Sequence, residues 1–265
     1  MCTKLLSLLL VFTTIGWSGG GLTFDGSTDG LNCSTRSWNT SASFSIFAWV
    51  RPNFASSDLN RQTIFTNWDA HTGWALVWLG DGTGDFELVA GSGGTLSRLV
   101  SAGGMLTFAV GDLLGIYAYT TNNVQNMEVF HPSGGTQFDT GSAFQSYTVT
   151  NSSQSVFIGT NPSVTTPWNG DIVQIVAGNW RIFNTNNNQL PARRGLRFFP
   201  NWTVDSASEG SAVVSYVIAV DFQRGNIGDV LSPGDTILDR TGGTSCTVIT
   251  GASPVVATGG SVLLP

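Results

Sequence analysis

The run Phe44-Ser45-Ile46-Phe47-Ala48-Trp49-Val50-Arg51-Pro52 constrains the fold more than any other stretch of the chain. Successive side chains of a strand point to opposite faces. Phe44, Ile46, Ala48 and Val50 therefore share one face, and Phe47 and Trp49 lie on the other. A strand that is apolar on both sides suits the centre of a β-sandwich. Upstream, Phe24-Asp25-Gly26-Ser27-Thr28-Asp29-Gly30-Leu31 reads as a strand entering a tight polar turn. Asp bonds its own backbone there and Gly admits positive φ.

The rest of the chain alternates short apolar runs with turn clusters, and no long helical period appears. In Gly73 to Gly80, Trp74, Leu76 and Trp78 share one face, with Ala75, Val77 and Leu79 on the other. The turn Gly80-Asp81-Gly82-Thr83-Gly84-Asp85 and the run Phe86 to Ala90 complete a hairpin pattern. Further strands are expected at Met105 to Val110, Leu113 to Thr121, Met127 to Phe130, Gln154 to Gly159, Ile172 to Ala177, Trp180 to Phe183, Ala212 to Phe222 and Cys246 to Thr250. The one helix candidate is a turn or two near Leu190 to Leu196. This pattern favours an antiparallel sandwich over parallel βαβ units. Trp49, Ile46, Val50, Phe157, Ile175, Val217 and Ile218 are the expected core. The final stretch from Ala252 reads as cover for a sheet edge or as a tail.

A chain of 265 residues can be one large all-β domain. Only 11% of its residues are charged, against about 25% in an ordinary domain. Nine Trp and sixteen Phe supply ample area for a core. The net charge is −6, and no basic stripe runs along the chain, which argues against a nucleic-acid partner. Residues 1–21 read as a signal peptide or as an apolar arm: Lys4 is their only charge, and Leu5 to Phe12 is almost wholly apolar. That run is too short to span a bilayer as a helix. Residues 22–265 read as a single domain, with no convincing linker.

The two opening motifs, in this order, resemble the start of a laminin-G-like (concanavalin A-like) jelly-roll domain. Val156-Phe157-Ile158-Gly159-Thr160, Trp168-Asn169-Gly170-Asp171-Ile172 and Trp180-Arg181-Ile182-Phe183-Asn184 resemble later steps of that superfamily. Asp221-Phe222 and Asp239-Arg240-Thr241-Gly242-Gly243 resemble its terminal portion. The resemblance implies an all-β, antiparallel two-sheet jelly roll with its termini close together. It implies a binding scaffold, since hydrolases are a minority there. Because first and last strands lie close in such folds, Cys33 and Cys246 are candidates for a disulfide in an oxidising compartment. Two reduced, buried cysteines are the alternative. Many relatives carry an acidic pair after the Asn-Gly step, whereas Val173 and Gln174 stand here.

Hydrolytic relatives place carboxylates at alternate positions of one strand, where one acts as nucleophile and another as acid/base. This chain has Glu only at Glu87, Glu128 and Glu209. Asp85 and Glu87 are the one i, i+2 carboxylate pair in an expected strand, and they read chiefly as an exposed hairpin face. His71 and His131 lack transition-metal spacing. Calcium takes oxygen ligands from scattered loops, and Asp69, Asp81 and Asp85 are its candidates.

The residues singled out for ligand binding are Trp68, Asp69, His71, Trp74, Asp81 and Asp85, a mixture of aromatic faces and hydroxyl-bonding groups suited to sugars. Trp68, Asp69 and His71 are expected on an exposed loop. At least one of Trp74 and Trp78 is expected in the core. The function expected is a non-catalytic, extracellular, glycan-binding module, with a homo-oligomer left open. The alternative is a virion or phage structural protein, a capsid decoration or fibre-associated subunit with protein partners. A glycoside hydrolase ranks third.

Overall fold

The computed structural model describes residues 21–35, 44–68, 72–92, 95–100, 107–121, 124–131, 135–139, 154–178, 216–221, 229–237, 245–249, 251–252 and 254–257. Sixteen strands occur among them: β1 (Gly21–Asp25), β2 (Leu31–Thr35), β3 (Phe44–Pro52), β4 (Gln62–Thr66), β5 (Gly73–Trp78), β6 (Phe86–Ser92), β7 (Thr95–Val100) and β8 (Leu114–Thr121) in the first half. The second half holds β9 (Val124–His131), β10 (Gly135–Asp139), β11 (Ser155–Ile158), β12 (Asn169–Gly178), β13 (Tyr216–Asp221), β14 (Thr236–Ile237), β15 (Cys246–Val248) and β16 (Val255–Ala257). Two eight-stranded antiparallel sheets result. The first runs β10-β9-β8-β3-β12-β1-β16, with β13 also paired to β12. The second runs β14-β15-β2-β11-β4-β5-β6-β7.

β3 takes the central place that its two apolar faces require, between β8 and β12. Its residues Ile46, Ala48 and Val50 enter the core between the sheets, where they meet Ile116 and Ala118 of β8 and Ile172 and Ile175 of β12. From the second sheet come Leu31, Ile64, Phe65, Trp74, Leu76, Trp78 and Leu88. A register shift in β4 between Thr63 and Phe65 lets the adjacent Ile64 and Phe65 both reach this core. An aromatic cluster packs part of the sandwich: Phe54 lies 5.4 Å from Trp78 and 5.3 Å from Trp168, and Phe108 lies 5.4 Å from Trp78.

Two sequence motifs acquire physical reasons. In the opening turn, Asp25 accepts hydrogen bonds from the Ser27, Thr28 and Asp29 amides and the Ser27 hydroxyl. Burial works to raise this carboxyl, but those hydrogen bonds, first that of the Ser27 hydroxyl, outweigh it and hold the pKa at about 2. In Trp168-Asn169-Gly170, Trp168 is buried, and Gly170 has a φ of 135°. A Cβ on Gly170 would stand 2.2 Å from the Arg51 carbonyl oxygen, so only glycine lets β12 approach β3 there.

Cys33 and Cys246 form a disulfide between neighbouring β2 and β15, with Cα atoms 3.9 Å apart. The edge-covering expectation for the C-terminal stretch corresponds to β16, which pairs with β1.

Two expectations are corrected. The described part of Met105 to Val110 is a loop: Asp112 accepts the Ala109 amide and donates its own to the Ala109 carbonyl, and β8 starts only at Leu114. Phe108 still reaches the core from that loop. Phe157 is only partly buried, because Val156 and Ile158 on either side of it take the inward positions of β11. The side chains of Val217 and Ile218, the Trp180 to Phe183 strand and the Leu190 to Leu196 helix lie outside the described residues.

Candidate functional site

The candidate site lies on the outer face of the second sheet. Cross-strand partners share a face, so the register gives one row: Thr247, Asn32, Phe157, Thr66, Ala75 and Val89. Ala75, Val77 and Val89 make a small apolar cluster on this face, separate from the main core. Trp68 packs against it and stays partly exposed. Its backbone amide donates to the Thr66 hydroxyl at 3.0 Å, and that hydroxyl donates to the Trp74 carbonyl. Asn67, at the end of the same strand, accepts the Trp74 amide on its side-chain oxygen at 2.8 Å. These bonds fix the backbone from which Trp68 projects. Phe157, directly opposite Thr66, adds a second partly exposed aromatic beside it.

Of the six residues singled out from the sequence, the four that are described do not converge. Asp69 and His71 lie outside the described residues. Trp74 is 3% exposed within the core between the sheets, as is Trp78 at 0%. Strand alternation sends both inward, so Trp74 offers no face to a ligand. Asp81 and Asp85 belong to the β5–β6 turn, at the far end of β5 from Trp68. At a rise of about 3.4 Å per residue, β5 keeps the two ends roughly 17 Å apart.

Asp85 is 2% exposed and accepts the Thr83 hydroxyl, which also contacts Asp81. Bonds from the Thr83 hydroxyl and amide lower the pKa of exposed Asp81. These two carboxylates serve the turn. Among the described residues no three His, Cys, Asp or Glu side chains come together as a metal site.

The Asp85–Glu87 pair does not form an exposed hairpin face. Glu87 is 1% exposed, and Arg61 reaches it at 2.6 Å. Both carboxylates are buried and engaged. Phe157, Asn32 and Thr247 are residues of the outer row that sequence reasoning missed. The signal for Phe157 was present: between Val156 and Ile158, one position has to face outward.

No protein-family model matches the chain, and no curated protein does. Among solved structures it is similar to a Bacteroides ovatus protein provisionally named for carbohydrate binding, at 14% identity and a TM-score of 0.50, over 91% of this chain and 60% of that one. The fold is the concanavalin A-like jelly-roll sandwich. The chain spans 60% of the length of that jelly-roll protein. More distant similarities are to domains LG4-5 of the mouse laminin alpha1 chain (12% identity, 60% of this chain, 41% of that one, TM-score 0.44). The enzymatically active domain of tailspike protein 2 from bacteriophage CBA120 is as distant (13% identity, 60% of this chain, 29% of that one, TM-score 0.44). No helix among the described residues is long and apolar enough to cross a membrane.

Proposed function

We propose that this jelly roll is a non-catalytic glycan-binding module acting outside the cytoplasm, and that it holds sugar on the outer face of its second sheet. The observation that carries the reading is the pair of partly exposed aromatics, Trp68 and Phe157, set on one face beside Thr66. Aromatic rings accept the C–H faces of sugars, and flanking amide and hydroxyl groups such as those of Asn32 and Thr247 accept or donate to hydroxyls. A shallow apolar floor with a few polar groups is a common binding arrangement. The fold likeness to a protein provisionally named for carbohydrate binding supports the same class. The burial of Asp85 and Glu87 against Thr83 and Arg61 supports the non-catalytic part. The Cys33–Cys246 disulfide supports an oxidising compartment.

A glycan array probed with the wild type, Trp68→Ala and Phe157→Ala tests this. Each variant is expected to bind its glycan about tenfold more weakly, or ~1.4 kcal/mol, while keeping a cooperative thermal transition. Folded variants that bind as the wild type does would remove this face from consideration. Steady release of reducing sugar by the wild type, lost in Glu87→Gln, would overturn the non-catalytic reading.

A further inference from the structure

Glu87 is a buried carboxylate on the outer face of the second sheet. Alternation along β6 sends Phe86 and Leu88 into the core and turns Glu87 and Val89 outward. Glu87 stands directly opposite Val77, and Val77 and Val89 belong to the apolar cluster on which Trp68 packs. The carboxylate therefore borders that cluster, one side-chain repeat or roughly 7 Å along β6 from Val89. Its side chain is 1% exposed, whereas that of Arg61 is 36% exposed. Arg61 donates from Nη2 to Glu87 Oε2 at 2.6 Å. A buried carboxylate thus holds a guanidinium that reaches solvent. A guanidinium carries its N–H donors in a rigid planar fork. Among the described residues Nη2 is the one Arg61 nitrogen with a hydrogen-bond partner, and the N–H groups on Nε and Nη1 have none.

We propose that Arg61 is a further sugar-contacting residue of this face, that Glu87 positions it, and that the glycan it takes is neutral, a ligand class that rests on the glycan reading of the same face. A sugar chain stacked on Trp68 and running along the strands past the Val77–Val89 cluster reaches the Arg61 donors at the Glu87 border. Those donors are already held by a buried partner, so little freedom is lost when they engage a ligand. Charge sets the class. Glu87 cancels the charge of Arg61 at contact distance, so an incoming anion gains from one and loses to the other. The chain as a whole carries −6, which opposes the approach of a polyanion. The row from Thr247 to Val89 contains no charged side chain. Hydroxyl oxygens of a neutral sugar need only N–H donors, and the fork supplies them. The buried ion pair then has a use at the site: it offers a fixed set of donors without a net charge.

An array holding neutral, uronate-bearing and sulfated glycans tests it, probed with the full-length wild type, Trp68→Ala, Arg61→Ala and Glu87→Gln at low and at physiological salt. The wild type is expected to prefer neutral glycans, with an affinity that changes little with salt. Arg61→Ala is expected to bind them about tenfold more weakly. Glu87→Gln keeps the shape of the side chain but leaves the charge of Arg61 uncancelled. Its ratio of acidic to neutral binding should therefore rise and become salt-sensitive, whereas a Glu87 that served stability alone would change all glycans alike. Arg61→Ala leaves Glu87 buried without its cation. If that variant lacks a cooperative thermal transition, Arg61→Met combined with Glu87→Gln removes both charges and takes its place, with the same expected loss. A wild type that prefers acidic glycans, a Glu87→Gln ratio equal to that of the wild type, or binding lost in Trp68→Ala but kept without Arg61 would overturn this proposal and leave the aromatic face standing. Binding kept in Trp68→Ala but lost without Arg61 would overturn the aromatic face instead. A wild type that binds no glycan would overturn both.

Discussion

Replacing Cys33 and Cys246 together by alanine should cost this protein much of its stability. The two half-cystines are separated by 213 residues. The chain-entropy relation for a loop of that length gives roughly 5 kcal/mol of lost destabilisation of the unfolded state, and native disulfides typically contribute 2–5 kcal/mol. A domain's whole net stability is about 5–15 kcal/mol, so the variant should be marginal. Structure adds a local reason: β15 has only three residues and is held on its inner side by β2. Alanine keeps the 0% exposed sites apolar, so little of the effect comes from buried polar groups.

Urea unfolding of the oxidised wild type, the reduced wild type and the double variant measures the cost. The last two should coincide and lie at least ~2 kcal/mol below the first. Thiol titration under denaturing, non-reducing conditions gives an independent check. In the full chain one of the three cysteines, Cys2, should react, and all should react after reduction. Three reactive thiols before reduction, or a variant within ~1 kcal/mol of the oxidised wild type, would refute the reasoning.

Gly170→Ala and Gly111→Ala form a second test, since both glycines have positive φ but differ in their surroundings. Gly111, with nothing within 4 Å of an added Cβ, should lose about 1 kcal/mol. Gly170, with the Arg51 carbonyl 2.2 Å away, should lose roughly 3 kcal/mol or more in the same denaturation assay. Acid titration tests Asp25. Its pKa is lowered from 3.8 to about 2 in the folded state, so its contribution is full above about 3.8 and disappears as pH falls through about 2. The group is largely exposed and screened, so the difference between wild type and Asp25→Asn should be below about 1 kcal/mol and should shrink over that window.

The central place of β3 was legible because two-sided apolarity has one structural meaning in a sheet. The β5–β6 hairpin was legible from alternation and turn chemistry. β7 and β10 were not: each lies at the end of a sheet's strand order, where one-sided pairing demands less of the sequence. Met105 to Val110 misled because an apolar run can be a loop that inserts one ring, here Phe108. Phe157 belongs to an apolar run whose composition does not say which positions face inward; in β11 Val156 and Ile158 take them. The four described members of the ligand set lie apart for a different reason. Residues Trp68 to Asp85 are near in sequence, but a strand between two turns carries its ends apart.

Gly21 of β1 stands directly opposite Ala257 of β16. The path into the described fold and the path out of it are therefore one strand spacing apart, about 5 Å. A body threaded that way can be spliced into a surface turn of another protein without prising the host open. It can also be rewired: a short linker from 257 to 21, with new ends cut in the Gly80–Gly84 turn, would keep every strand pairing of both sheets. Wherever such a module is mounted, pulling on its two ends loads the β1–β16 pair first. That pair would open like a zip while the Cys33–Cys246 bond holds the second sheet closed behind it.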